Sequence, residues 1–168
     1  MAVSPGPRVL IADDHAPTRA VVRRAIENGS FLVRRRADAD GAIRAARETR
    51  PDVILLDVRM PGSGIRAAEV IGTEPPDLPI VMLTISDENS DLFSALSAGA
   101  SGYLLKGQDP AAIPEVLRMV MSGEAALSRT LVKRLVQEFR ARDVRQRIRA
   151  RLPLAPGSRR RSGRCSSS

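Results

Sequence analysis

The chain has 168 residues, 43% of them hydrophobic and 2% aromatic, with 27 basic against 19 acidic residues for a net charge of +8. That length and apolar content suit one domain with an appendage, built on an aliphatic core. A lone cysteine, Cys165, and a lone histidine, His15, exclude an intrachain disulfide and cysteine- or histidine-cluster metal sites. No apolar run approaches the roughly 20 residues of a membrane span, and residues 1–7 do not resemble a signal peptide, so a cytoplasmic protein without membrane contact is expected.

Charge is divided unevenly. Residues 1–128 hold 14 basic and 17 acidic residues, net −3, whereas residues 129–168 hold 13 and 2, net +11. The high isoelectric point therefore belongs to the C-terminal segment and does not mark the remainder as nucleic-acid binding.

In chain order, residues 9–12 form an aliphatic run stopped by Asp13-Asp14. A helix is predicted over 17–27, with Val21, Val22, Ala25 and Ile26 at helical spacing, ended by Asn28-Gly29. Residues 31–33 are a weaker strand, and a helix over 41–49 follows with Asp40 as its N-cap. Residues 53–56 run into Asp57. Pro61, Gly62 and Gly64 then require a loop before a short helix over 65–71. Residues 80–83 end at Thr84, a helix over 87–98 is stopped by Gly99, and residues 102–105 end at Lys106. Asp109-Pro110 opens a helix reaching Ser122-Gly123, with Pro114 delaying its start by a turn.

Five strand–helix alternations predict an α/β fold, a doubly wound parallel sheet with helices on both faces. Ser128 should cap one more helix, in which Leu131, Val132, Leu135, Val136 and Phe139 form an apolar face in need of a partner. The expected division is a disordered N-terminus over 1–7, a domain over 8–126, a linker helix over 127–150 and an Arg/Ser-rich disordered tail over 151–168.

Four buried strands thus end in Asp13-Asp14, Asp57, Thr84 and Lys106. Ligands of such sheets gather beyond the carboxyl ends of the strands. Adjacent carboxylates about 4 Å apart repel by roughly 1 to 4 kcal/mol, a cost that a hard divalent ion removes. Mg²⁺ suits a strand-end Asp pair, Asp57 and a backbone carbonyl. A carboxylate at Asp57 can accept a phosphoryl group, whose oxygens Mg²⁺, Lys106 and Thr84 would neutralise. Taken singly, each residue has a plainer reading: Asp13 and Asp14 as a helix-capping turn, Lys106 as a solvated strand end, Thr84 as a turn hydroxyl. Four such ends together argue for a site.

The stretches 9–15, 51–62, 80–84 and 98–106 resemble the receiver domain of two-component response regulators over about residues 8–126, in particular regulators that carry a LuxR-type helix-turn-helix. That family has a flavodoxin-like fold with strand order 2-1-3-4-5. The resemblance implies Asp57 as phosphoacceptor from a histidine kinase, Asp14 as a direct Mg²⁺ ligand, Asp13 as an outer one and the Arg59 carbonyl as a further ligand. It also implies that Thr84 and Lys106 hold the phosphoryl group, and that Tyr103 turns inward with Thr84 to alter the α4-β5-α5 surface. The plainer alternative for Tyr103 is a half-buried tyrosine with its hydroxyl in water. The resemblance implies no enzyme beyond slow self-dephosphorylation.

The chain departs from the family pattern in places. The loop 60–64 is one residue short and lacks an Asp, and Gly107 replaces a frequent proline. After Phe139 no helix-turn-helix is visible, so DNA contact is expected only through a missing output domain or weakly through the basic tail. Residues 154–168 read as an out-of-frame translation of a GC-rich gene, or the protein is an output-less or truncated receiver. A homodimer is one way to cover the 131–139 face. A dehalogenase-type phosphatase would want an Asp where Arg59 stands, and a flavin would want an aromatic stacking pair that is not evident.

Overall fold

The computed structural model describes residues 6–73, 77–85 and 89–151. Five parallel strands, β1 (Arg8–Ala12), β2 (Leu32–Arg36), β3 (Val53–Asp57), β4 (Ile80–Thr84) and β5 (Gly102–Leu105), form one sheet in the order 2-1-3-4-5. The helices are α1 (Ala16–Asn28), α2 (Ala39–Thr49), α3 (Gly64–Ile71), α4 (Asn89–Ser97), α5 (Ile113–Met121) and α6 (Arg129–Arg151). The alternation of elements predicted the parallel sheet with helices on both faces, and the order is the flavodoxin-like one that the resemblance implied.

The central strands are apolar throughout because both faces are covered. Leu10, Ala12, Ile54, Leu56, Ile80 and Met82 enter a cluster with α2, α3 and α4. Val9, Ile11, Val53, Leu55, Val81 and Leu83 enter a second cluster with α1 and α5. No helix among the described residues is long and apolar enough to cross a membrane.

Several boundaries differ from the sequence-based expectation. β2 is Leu32–Arg36 rather than 31–33, its ladder with β1 running from Arg8↔Leu32 to Ala12↔Arg36. An edge strand keeps one side in solvent, so its pairing continues through three arginines after the apolar pattern has stopped. Helix α2 starts at Ala39, two residues early, and its N-cap is Asp38, whose Oδ1 accepts from Gly41 N at 2.7 Å. Ala39 is fully buried and its N–H donates to Pro61 O at 2.9 Å, which pulls the helix start back and leaves Asp40 in the first turn.

Helix α1 begins at Ala16, with His15 as N-cap. The positive φ after it falls on Ser30 rather than Gly29. Helix α4 spans Asn89–Ser97 and is followed by Gly99 at φ 93°, the expected stop; residues 86–88, where the helix was expected to begin, lie outside the described residues. A 3₁₀ turn over Pro110–Ala112 precedes α5, so the α-helical part does start a turn late. Ser128 caps α6, its Oγ accepting from Leu131 N at 3.2 Å. Arg151, the first residue of the predicted tail, ends α6, and the rest of that tail, 152–168, lies outside the described residues, as do residues 1–5 of the predicted N-terminal segment.

Candidate functional site

The parallel register brings the four predicted strand ends to one edge of the sheet, with Asp57 opposite Leu83 and Thr84 opposite Leu105. Asp13 is fully buried, Asp57 is 4% exposed and Thr84 is fully buried. Lys106 reaches both acids, its Nζ standing 2.7 Å from Asp13 Oδ2 and 3.1 Å from Asp57 Oδ2. Asp14 is exposed, yet one oxygen from each of Asp13, Asp14 and Asp57 lies within 4.8 Å of the others.

Each group is held by backbone. His15 N donates to Asp13 Oδ1 at 2.7 Å, and Arg59 N donates to Asp57 Oδ1 at 3.3 Å. Lys106 N donates to Thr84 O at 2.6 Å, tying the ends of β4 and β5 together. Arg59 sends its side chain to Asp91 on α4, Nη2 to Oδ2 at 3.1 Å. Tyr103 is 1% exposed and sits in the core cluster beside β4, opposite Met82, so its ring is inward rather than half-buried in water.

The electrostatics of the cluster follow from burial and from its neighbours. Burial pushes the Asp57 carboxyl above its ordinary range; the hydrogen bond and charge of Lys106 and the Arg59 N–H oppose that rise, and the charge of Asp13 adds to it. Two buried carboxyls, the exposed carboxyl of Asp14 and the Lys106 ammonium meet here, and hard oxygen donors converging within 4.8 Å fit a divalent cation.

Two contributors to the site were not legible beforehand. Gly64 packs on the Asp57 backbone, where a Cβ would lie 1.9 Å from Asp57 O. Arg19 of α1 donates from Nη1 to Asp13 O. The two glycines of the loop 60–64 gave a signal for the first of these, although they read only as turn formers; Arg19 carried no signal.

A family model described as response regulator receiver domain matches residues 9–118. The chain belongs to that family. It is 37% identical over 140 residues to the nitrate/nitrite response regulator protein NarP of Escherichia coli K12, covering 82% of this chain and 63% of NarP. It is 34% identical over 136 residues to the transcriptional regulatory protein DegU of Brevibacillus brevis, covering 79% and 58%. Among solved structures, a LuxR-family two-component response regulator from Aurantimonas sp. SI85-9A1 superposes with a TM-score of 0.73 at 32% identity, covering 79% of this chain and 97% of that one. The receiver chain spans about three fifths of the length of the curated relatives it matches.

Proposed function

We propose that this receiver accepts a phosphoryl group on Asp57 from the phosphohistidine of a cognate histidine kinase and passes the change to the α4-β5-α5 surface. The observation that carries this is the pair of buried carboxylates, Asp13 and Asp57, bridged by the single ammonium of Lys106 at 2.7 and 3.1 Å. Such a pair is a poor stability device but a good anion-transfer site.

In this reading an Asp57 carboxylate oxygen forms a bond to phosphorus as the phosphorus–nitrogen bond of phosphohistidine breaks, and the imidazole leaves with the electron pair and takes up a proton. Asp13, Asp14, Asp57 and the Arg59 carbonyl would hold Mg²⁺, which when bound supplies positive charge to the transferring oxygens. Lys106 is released from Asp57 as the carboxylate becomes an acyl phosphate and then pairs with the phosphoryl oxygens. The Thr84 hydroxyl donates to another of them, and Tyr103, already inward, packs behind it. The cytoplasmic location and the output in transcription belong to the same proposal, and the description of DegU as a transcriptional regulatory protein supports the second.

The test is intact mass after incubation with acetyl phosphate, with and without Mg²⁺. A Mg²⁺-dependent gain of one phosphoryl group that Asp57→Asn lacks is the expected result. No gain, with either acetyl phosphate or a purified kinase as donor, would remove the proposal.

A further inference from the structure

Helix α6 meets the rest of the molecule through a small contact. Leu131 is 3% exposed and lies in the same buried cluster as Leu92 and Ala95 of α4 and Tyr103 of β5. Two turns on, the Phe139 ring stands 5.5 Å from the Phe93 ring of α4, centroid to centroid, at 58°. The Arg142 guanidinium lies 4.1 Å from the centre of the Phe93 ring, and its Nε pairs with Glu138 at 3.2 Å. Beyond Arg142 the described residues of α6 are exposed.

The contact therefore runs along one stripe of α6, from the buried Leu131 through the half-buried Leu135 and Glu138 to the exposed ring of Phe139. Phe139 remains 61% exposed while Phe93 beneath it is 8% exposed. A helix docked by a narrow stripe, with most of its described residues exposed, opens with a lower free energy than the core elements, and a modest bias can move it. The buried point shares its cluster with Tyr103, and close-packed clusters do not lose one large member without rearranging the others.

We propose that α6 docking and the inward position of Tyr103 stabilise each other, so that α6 is the element that reports the state of the site. The inference rests on the receiver reading above for its input: a phosphoryl group on Asp57 that favours the inward Tyr103 tightens the clasp of α6 on α4. By reciprocity, a docked α6 favours the phosphorylated state to the same degree. Polarity follows from the structure, in which Tyr103 is inward while α6 is docked.

The composition provides a clean reporter. Tyr103 is the sole tyrosine and the chain has no tryptophan, so intrinsic fluorescence reads this one ring. The experiment uses the full chain, wild type and Phe139→Ala, with Arg142→Gln as a second variant. Hydrogen exchange of residues 131–142 reads the clasp, and acrylamide quenching reads Tyr103. In the unphosphorylated protein, Phe139→Ala is expected to lower α6 protection about fivefold or more and to raise quenching of Tyr103. Acetyl phosphate with Mg²⁺, with the added mass verified, is expected to raise α6 protection in the wild type.

Loss of α6 protection with unchanged Tyr103 quenching would overturn the coupling. So would a phosphorylated wild type whose α6 protection is unchanged or lower. A chain that gains no mass would overturn the receiver reading and the tightening that rests on it. The mutual dependence of α6 and Tyr103 is decided separately by Phe139→Ala in the unphosphorylated chain.

Discussion

Gly64 lies against the backbone of Asp57 so closely that a Cβ at residue 64 would be 1.9 Å from Asp57 O and 2.8 Å from its carbonyl carbon. Both are backbone atoms and cannot swing away as a side-chain tip would. The same turn is fixed by Gly64 N donating to Val58 O at 3.1 Å. Gly64→Ala must therefore push the β3–α3 loop off the strand end and carry Asp57 with it. A loss of about 2 to 3 kcal/mol is expected in urea unfolding, with slower phosphorylation by acetyl phosphate. Wild-type stability and rate in this variant would show that the loop yields without moving Asp57.

Asp57 weakens the fold that contains it. A carboxyl whose pKa is raised on folding binds its proton more tightly in the folded state. Its stabilising contribution is complete below the unfolded value, about 3.8, and is lost as pH rises through the raised folded value. At neutral pH, without a divalent cation, the ionised group is a net cost. Asp57→Asn should raise Tm in the presence of chelator, by roughly 2 to 4 °C per kcal/mol recovered. Mg²⁺ at tenfold excess over its Kd should stabilise the wild type by about 1.4 kcal/mol and the variant much less. Equal Mg²⁺ responses in a thermal melt would mean that Asp57 is not a ligand.

What the sequence made legible follows burial. Asp57, Thr84 and Lys106 could be read because a strand covered on both faces is an unbroken apolar run, and the residue that breaks it stands at the site. β2 could not be read in the same way, since Arg34, Arg35 and Arg36 continue a ladder that has a solvent side. Asp38 and Asp40 offer equivalent caps two residues apart, and the choice between them is made by the Ala39 bond to Pro61, from a loop 22 residues downstream. Gly64 against Asp57 and Phe139 against Phe93 are tertiary meetings of residues that look ordinary in isolation.

Arg50 closes α2 in the left-handed region, at φ 44° and ψ 67°, its N–H donating to Ala46 O. An L-residue held there costs about 1 kcal/mol or more, and glycine avoids that cost. Arg50 is exposed and forms no ion pair among the described residues. Arg50→Gly should raise stability by about 0.5 to 1 kcal/mol, whereas Arg44→Gly, at an exposed position inside the same helix, should lower it by about 1 kcal/mol. Urea unfolding of both variants checks the opposite signs; the same sign in both would mean that backbone conformation at residue 50 does not govern the effect.

The starts of β1 and β3 are tied by Arg8 and Asp52, with Arg8 N donating to Asp52 Oδ2 at 2.7 Å and Arg8 Nε to the same oxygen at 3.4 Å. The backbone N–H, more than the guanidinium, holds the Asp52 carboxyl below its ordinary value against a smaller opposing effect of burial. A depressed folded pKa gives stability that is present above the unfolded value of about 3.8 and is lost as pH falls through the folded value. The side chains are 51% and 41% exposed, so solvent screening keeps the contribution under about 1 kcal/mol. Asp52→Asn should thus be slightly less stable than the wild type at pH 7, and the difference should shrink as pH falls below about 3.8. High salt should leave most of the neutral-pH difference in place, because its larger part is a hydrogen bond to backbone rather than an ion pair. A difference that salt abolishes would assign the effect to the Arg8 side chain instead.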